Sequence, residues 1–164
     1  MSWLRKALAH LVLSRSQEAL IKASGGEPRT VRGMTLDPRL QFLEAQARQR
    51  AIPWNQQSPE RLREQTEAMS EIFGGGGVGR VRKEKVYVTG RSHSVPCRLY
   101  LPTVRDNSAA MLVYFHFGGG VVGSLETCDR LCALIAREAG APVLSVEERL
   151  GPEHKVPTGL GDAR

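Results

Sequence analysis

The spacing of apolar residues changes from a helical to a strand-like period about halfway along the chain. In the first half, apolar side chains recur every three or four residues, which is typical of amphipathic helices. Asp37-Pro38 and Ser58-Pro59 each join an N-cap residue to a first-turn proline, and each predicts a helix start. Residues 1–79 are therefore predicted to form a helical region. The predicted apolar faces consist of Leu4, Leu8, Leu11 and Val12, of Leu40, Leu43 and Ala47, and of Leu62, Met69 and Ile72.

Alternating apolar and polar positions after residue 84 predict a pair of strands. Residues 85–89 and 95–101 alternate, and the turn-forming residues 90–94 lie between them, so the pair is predicted to be an antiparallel hairpin. Residues 111–115 are continuously apolar, which is typical of a strand covered on both faces.

A strand, a helix and a second strand follow one another in the last third of the chain. The helix spans residues 125–140, with Leu131, Leu134 and Ile135 as its predicted apolar face, and residues 141–146 form another apolar strand. This order predicts a βαβ unit with parallel pairing, and hence an α/β fold for residues 80–164.

The strand at residues 111–115 leads directly into a glycine-rich loop. His116 and Phe117 are followed by Gly118, Gly119 and Gly120. Backbone N–H groups at such a position can stabilise the oxyanion that develops in acyl transfer, as in the HGGG-type loops of lipases and esterases. No Gly-x-Ser-x-Gly nucleophile elbow occurs among the 164 residues. The sequence therefore indicates ester hydrolysis but lacks a nucleophile for it.

Composition narrows the classes of partner and compartment. The net charge is +6, but the excess of Lys and Arg lies in residues 1–100, whereas residues 101–164 are slightly acidic. This distribution does not resemble a nucleic-acid-binding surface, so no nucleic-acid partner is expected. Cys97, Cys128 and Cys132 are an odd set without metal-ligand spacing, so we predict no disulfide, no metal site and a reducing, cytoplasmic location.

The first helix has two interpretations. Its short apolar face can pack against the rest of the protein, which is the favoured interpretation, or it can make peripheral contact with a membrane surface. The chain contains no apolar run of about 18 residues, so no membrane-spanning segment is predicted.

Two motifs with matched spacing resemble the hormone-sensitive-lipase-like branch of the α/β-hydrolase superfamily. That family has Tyr-x-His-Gly-Gly-Gly-Phe-x-x-Gly-Ser-Leu, and residues 114–125 align with it without a gap. Its second motif, Ser-Val-Asp-Tyr-Arg-Leu-Ala-Pro-Glu-His-x-x-Pro, aligns with residues 145–157. The resemblance begins at about Leu36, and the leading helices resemble the family's N-terminal cap.

The resemblance implies the N-terminal part of an α/β-hydrolase fold: helical cap segments, an antiparallel hairpin, and a βαβ unit of a mostly parallel sheet. It implies that Gly118 and Gly119 supply the oxyanion-hole N–H groups and that His116 structures the loop. It also implies a serine carboxylesterase or lipase-type reaction on a small ester or lipid-like substrate, without a cofactor. The serine, acid and base would lie beyond Arg164, in a missing C-terminal half, so the chain alone is expected to be inactive.

Several positions depart from the family motifs. Phe117 stands where the family has its first loop glycine, and Gly120 stands where it has an aromatic residue. Glu147 replaces aspartate, and Gly151 replaces alanine. Glu148 replaces tyrosine, and a charge buried there would need a partner, for which Arg149 is one candidate.

Other residues that resemble catalytic groups are given different roles. The segment 90–94 has Ser92 in an elbow-like setting, but serine replaces the second glycine, and a hairpin turn is not the strand-to-helix bend that an elbow needs. His154, like His116, belongs to a family motif and is interpreted as a loop-structuring residue.

Three interpretations of the chain stay open. It is a truncated or incompletely recorded ester hydrolase, a decayed remnant without activity, or a non-catalytic module that pairs through an exposed sheet edge or binds anions at the glycine loop. Without further strands, residues 111–115 would leave an apolar edge open, and we expect poor solubility or partial folding unless something covers it. The oligomeric state and the length of the substrate acyl group do not follow from the sequence.

Overall fold

The chain folds into two compact units that divide between Gln57 and Ser58. The structure is a computed structural model that describes residues 2–90, 93–105 and 110–163. The sequence predicted a boundary between residues 79 and 80, which stays a prediction. The two compact units divide earlier, between residues 57 and 58. The helix that follows Ser58 therefore belongs to the same unit as the sheet.

The first unit contains three helices and a short β-ribbon. Asp37 caps the third helix through Oδ1, which accepts a hydrogen bond from the Arg39 N–H at 2.8 Å, and Pro38 occupies the first turn as predicted. The second helix and the ribbon were not predicted, because both are too short to produce a clear periodic pattern. The elements are α1 (Ser2–Leu13), α2 (Gln17–Ala23), β1 (Thr30–Val31), β2 (Met34–Thr35), α3 (Pro38–Gln49) and a 3₁₀ turn (Trp54–Gln56).

A buried polar side chain corrects the predicted apolar face of α3. Leu40 and Ala47 are exposed, whereas Gln41 is buried. The Gln41 Nε2 donates to the Glu27 carbonyl at 2.7 Å, and its Oε1 accepts from the Arg29 N–H at 2.9 Å. Because both ends of the amide are satisfied, glutamine occupies this buried position at little cost.

The exposed side of α1 keeps both interpretations of that helix open. Leu4, Leu8 and Leu11 are all more than half exposed. Among the residues that the structure describes, no helix combines the length and the apolar character needed to cross a membrane.

The second unit contains the sheet and the helices around it. Ser58 caps its first helix, where the Ser58 Oγ accepts from the Arg61 N–H at 3.3 Å, which confirms the predicted start. The elements are α4 (Pro59–Phe73), β3 (Val81–Thr89), β4 (Ser94–Pro102), β5 (Leu112–Phe115), α5 (Asp129–Ala139), β6 (Val143–Val146) and α6 (Thr158–Asp162).

The sheet is mixed, with strand order β3-β4-β6-β5. The strands β3 and β4 form the predicted antiparallel hairpin, and β4 also pairs antiparallel with β6. The strands β5 and β6 are parallel, with Val113 opposite Leu144, and α5 connects them. The predicted hairpin and βαβ unit are both confirmed.

Small residues on α5 bury it against the sheet. Cys132, Ala133 and Ala136 are fully buried, whereas the predicted Leu131 is 46% exposed and Leu134 and Ile135 are half-buried. Small side chains let the helix lie close to Tyr100 and Val143 of the sheet, so the buried face is rotated from the predicted one.

The strand β5 lies at the edge of the sheet. Leu112 is 41% exposed and Val113 is 51% exposed, so the predicted burial on both faces is wrong. Within the described residues β5 pairs only with β6, and the helix α5 packs mainly on β4 and β6, so little covers the faces of β5. The strand thus presents apolar side chains together with unpaired backbone groups.

Asp129 at the start of α5 joins the helix to the hairpin. Its Oδ1 accepts from the Arg98 guanidinium at 2.9 Å and from the Tyr100 hydroxyl at 3.1 Å, and Lys83 donates to its Oδ2. Burial raises the pKa of Asp129, but hydrogen bonds from Lys83, Tyr100 and Arg98 outweigh it, so the pKa lies below its ordinary value of 3.8.

We expect Asp129→Ala to lower the free energy of unfolding by about 1–3 kcal/mol, because Arg98 and Tyr100 would lose a half-buried hydrogen-bond partner. The control is Glu138→Ala on the same helix, whose exposed pair with Arg137 should contribute less than about 0.5 kcal/mol. Urea unfolding at pH 7 measures both, and equal losses would contradict the prediction. Since the Asp129 pKa is lowered, its contribution should be present above pH 3.8 and be lost as the pH falls below it.

The three cysteines are free and buried. Burial raises the pKa of the Cys97 thiol and raises that of Cys132 to about 11. We therefore expect an aromatic disulfide reagent at pH 8 to label no thiol in the folded protein and all three after denaturation. Rapid labelling of the folded protein would show that these thiols are accessible thiolates.

Candidate functional site

The glycine loop begins where β5 ends. Because β5 and β6 are parallel, the loop after Phe115 and the segment after Val146 both begin at the carboxyl end of the sheet's parallel strands. These two segments contact each other directly, since the Gly151 N–H donates to the Gly120 carbonyl at 2.7 Å. The two family motifs noted in the sequence therefore meet in space.

Three consecutive glycines of the loop have left-handed backbone conformations. The φ angles are 131° at Gly118, 62° at Gly119 and 72° at Gly120. A Cβ at Gly118 would lie 1.9 Å from the Val122 carbonyl oxygen, so only glycine fits there. Around Gly119 and Gly120 the space is open.

The turn leaves the predicted oxyanion donors available. The Gly118 carbonyl accepts from the N–H groups of Val121 at 3.1 Å and Val122 at 3.2 Å, which fixes the peptide between Gly118 and Gly119. Within the described residues, no group accepts a hydrogen bond from the N–H of Gly118 or Gly119. Two neighbouring N–H groups are thus free to bind an anion or a polarised carbonyl oxygen.

The phenylalanine that replaces the family's first loop glycine causes no backbone strain. Phe117 is 54% exposed, and its φ lies outside the left-handed region. Its side chain therefore points away from the packed interior of the loop, and the left-handed conformations begin only at Gly118.

His116 is packed inside the loop and is only 7% exposed. Its Nδ1 lies 3.1 Å from the Phe117 carbonyl oxygen, and because a carbonyl only accepts, Nδ1 carries the proton. A Cβ at Gly123 would lie 2.4 Å from Nδ1, so the ring packs directly against that glycine. The loop-structuring role of His116 and the donor roles of Gly118 and Gly119 stay predictions that are consistent with these contacts.

Carboxylates support the segment that follows the glycine loop. Glu147 Oε2 accepts from the Leu125 N–H at 2.8 Å, and Glu67 Oε1 accepts from the Ser124 hydroxyl at 3.1 Å. Glu147 thus keeps a direct bond between the two motifs, although it is longer than the aspartate of the family pattern.

Arg149 pairs with Asp162 and not with the suggested Glu148. Its guanidinium lies 2.6 Å from Asp162 Oδ1, and its backbone N–H donates to Oδ2 at 2.9 Å. The side chain of Asp162 is fully buried, and His93 Nε2 also lies 3.3 Å from Oδ1. Although burial raises the pKa of Asp162, the hydrogen bonds from Arg149 lower it below its ordinary value.

The elbow-like segment at residues 90–94 is only partly described. Arg91 and Ser92 lie outside the described residues, and the Gly90 N–H donates to the His93 carbonyl at 2.9 Å, between β3 and β4. His154 is exposed, and its N–H donates to the Leu150 carbonyl. In the described ranges, no group of three or more His, Cys, Asp or Glu residues could hold a metal ion.

Comparison with known proteins supports the resemblance. A family model of the α/β hydrolase fold matches residues 112–164, which include both motifs. The chain belongs to the hormone-sensitive-lipase-like branch of the α/β hydrolases.

The relatives that align with more than three quarters of this chain are named as ester hydrolases. This α/β hydrolase is 36% identical over 138 residues to an ethyl acetate hydrolase of Pseudomonas putida. The alignment covers 79% of this chain and 43% of that protein. It is 32% identical to the carboxylic ester hydrolase LipN of Mycobacterium tuberculosis, covering 85% and 37%. Among solved structures, an esterase of Pyrobaculum calidifontis superimposes with a TM-score of 0.61 at 36% identity, covering 70% and 37%. The chain spans about two fifths of the length of these relatives.

Two long-range contacts of this α/β hydrolase were missed by the sequence analysis. Asp162 binds Arg149, and Arg63 on α4 reaches the glycine loop and the segment after β6. No local pattern identifies either residue, because each partner lies more than ten positions away. In the sequence Arg63 is one of several charged residues of α4, and only the structure shows that it is half-buried.

Proposed function

We propose that this chain forms part of a serine carboxylesterase and supplies its oxyanion hole. The N–H groups of Gly118 and Gly119 are the proposed donors. The serine, acid and base are proposed to come from polypeptide outside these 164 residues. The observation that carries the proposal is the pair of N–H groups after β5 that have no acceptor among the described residues, in a chain whose relatives include ester hydrolases.

The proposed reaction proceeds in two steps. The serine oxygen attacks the ester carbonyl, a histidine takes the serine proton and gives it to the departing alcohol, and an acyl-enzyme forms. Water then attacks the acyl-enzyme, and the carboxylic acid leaves as the serine regains its proton. In both steps the carbonyl oxygen becomes negative, and Gly118 and Gly119 would donate to it. Each such donor typically contributes about 10²–10³ in rate.

The proposed substrates are small uncharged carboxylic esters. Support comes from the names of the relatives, one of which is an ethyl acetate hydrolase.

The test uses the native polypeptide that contains this chain. We expect it to hydrolyse 4-nitrophenyl acetate, and we expect an organophosphate that modifies active-site serines to abolish the activity. Mass spectrometry should then find the phosphoryl adduct on a serine outside residues 1–164. Absence of turnover with acetyl, butyryl and octanoyl esters would overturn the proposal.

A non-catalytic interaction module is the second candidate function. It is favoured by the exposed apolar edge strand β5, where Leu112 and Val113 are accessible, as is Met111 just before the strand. Light scattering after size-exclusion chromatography distinguishes the two candidates. A stable complex with a second chain, without ester turnover, would favour the module.

A further inference from the structure

Arg63 connects helix α4 to both segments of the candidate site. Its Nε donates to the Val121 carbonyl at 2.8 Å, and its Nη2 donates to the Gly151 carbonyl at 2.8 Å. The guanidinium also forms a two-point ion pair with Glu153, at 2.8 Å and 2.7 Å. All of these groups belong to the unit that contains the sheet.

These contacts hold the carbonyl groups of the glycine turn and leave the N–H groups of Gly118 and Gly119 without an acceptor among the described residues. The Gly118 carbonyl accepts from Val121 and Val122, the Gly120 carbonyl accepts from Gly151, and the Val121 carbonyl accepts from Arg63. Arg63 also holds Gly151 through that residue's own carbonyl. One side chain therefore fixes the turn directly and also fixes its neighbouring support.

Arginine suits this position because its planar fork offers several donors in a rigid arrangement. The side chain is only 27% exposed, and Glu153 balances its charge. The hydrogen bond from Arg63 lowers the pKa of Glu153 to about 2, so the pair stays charged at neutral pH. A lysine would keep the charge but would not reach all three acceptors in the same geometry.

We propose that Arg63 is a positioning residue for the oxyanion loop, which it holds in the conformation that presents the Gly118 and Gly119 N–H groups. Arg63 acts through Val121 and Gly151 and does not itself touch the reacting ester. The catalytic consequence rests on the proposed function, whereas the effect on loop geometry does not.

The first test measures loop geometry by amide hydrogen exchange in the native polypeptide that contains this chain. In Arg63→Ala, we expect exchange to rise at the amides of Val121, Val122 and Gly151, while β4 and β6 keep their protection. The matched control is Arg61→Ala, an exposed position on the same helix. Increased exchange confined to α4, with the loop unchanged, would show that Arg63 only anchors its own helix and would overturn the proposal.

The second test separates kcat from KM for a nitrophenyl ester. A misplaced donor pair should lower kcat by about 10²-fold in Arg63→Ala and change KM by less than about threefold. Arg63→Lys should retain intermediate activity, and added guanidinium should restore part of the kcat of Arg63→Ala. An unchanged kcat, or a loss that appears only in KM, would contradict the proposal.

The two tests distinguish the positioning role from the proposed function. If the wild-type polypeptide lacks esterase activity, the proposed function fails, and hydrogen exchange alone decides the role of Arg63. If Arg63→Ala does not fold, as judged by circular dichroism, Arg63→Lys decides it: intermediate loop exchange supports the role, and wild-type exchange overturns it.

Discussion

The 164-residue chain by itself is expected to show no turnover of 4-nitrophenyl acetate above the buffer rate. It has the proposed oxyanion donors, but it has no Gly-x-Ser-x-Gly elbow. In serine hydrolases, removal of the nucleophile or the base costs about 10⁶-fold in kcat, and the oxyanion hole that remains accelerates the reaction only modestly. The measurement compares equal molar amounts of the chain and of the longer polypeptide that the proposed function requires.

One group of residues in the chain could contradict this expectation by supplying a nucleophile and a base. His93 precedes Ser94 in the sequence, and its Nε2 is 3.3 Å from Asp162 Oδ1, so the three residue types match those of a catalytic triad. However, Asp162 already accepts hydrogen bonds from the guanidinium and the backbone N–H of Arg149, which satisfy its charge. Turnover that a serine-directed inhibitor abolishes would contradict the expectation. The variants His93→Ala and Ser94→Ala would then show whether this arrangement is responsible.

Gly118→Ala should lower kcat of the native polypeptide by at least about 10²–10³-fold, the typical effect of losing an oxyanion donor. The new Cβ would lie 1.9 Å from the Val122 carbonyl oxygen, at a φ of 131° that alanine rarely adopts. The loop must therefore leave its conformation, and the neighbouring N–H groups would turn away from the substrate carbonyl.

The matched control for Gly118→Ala is Gly120→Ala. Gly120 also has a left-handed φ, of 72°, but nothing lies within 4 Å of a Cβ there. Its cost is limited to backbone strain of about 1–2 kcal/mol, so we expect a much smaller loss of kcat. Steady-state kinetics on both variants, with folding checked by thermal melting, makes the comparison. Equal losses would mean that close packing at Gly118 is not what shapes the site.

Local signals predicted the secondary structure well where they were strong. The N-caps Asp37 and Ser58 marked the starts of α3 and α4, and alternation marked the β3–β4 hairpin. These features depend on neighbours within a few residues, so the sequence alone contains them. The short α2 and the β1–β2 ribbon were missed because seven and two residues do not establish a period.

Predictions of burial were less accurate than predictions of elements. The sequence favoured Leu40 and Leu131 as buried, yet Gln41, Cys132 and Ala133 occupy the buried positions. Hydrophobicity alone does not decide which residue is buried, because a polar amide with satisfied partners or a small side chain at a close contact can be favoured. The strand β5 was expected to be covered, but burial of a strand depends on what lies beside it.

The sequence by itself determined the longer elements, the family resemblance and the candidate donors. Caps and periodicity indicated the longer elements, and the two motifs at residues 114–125 and 145–157 indicated the family and the donors, because their glycines and spacing constrain the backbone locally. The tertiary structure decided which N–H groups remain unpartnered and which distant side chains support them. Arg63 lies 58 positions from Val121 and 88 from Gly151, and only the position of α4 within the unit that contains the sheet brings these residues together. Such contacts follow from the arrangement of whole elements in space, and no short stretch of sequence contains that information.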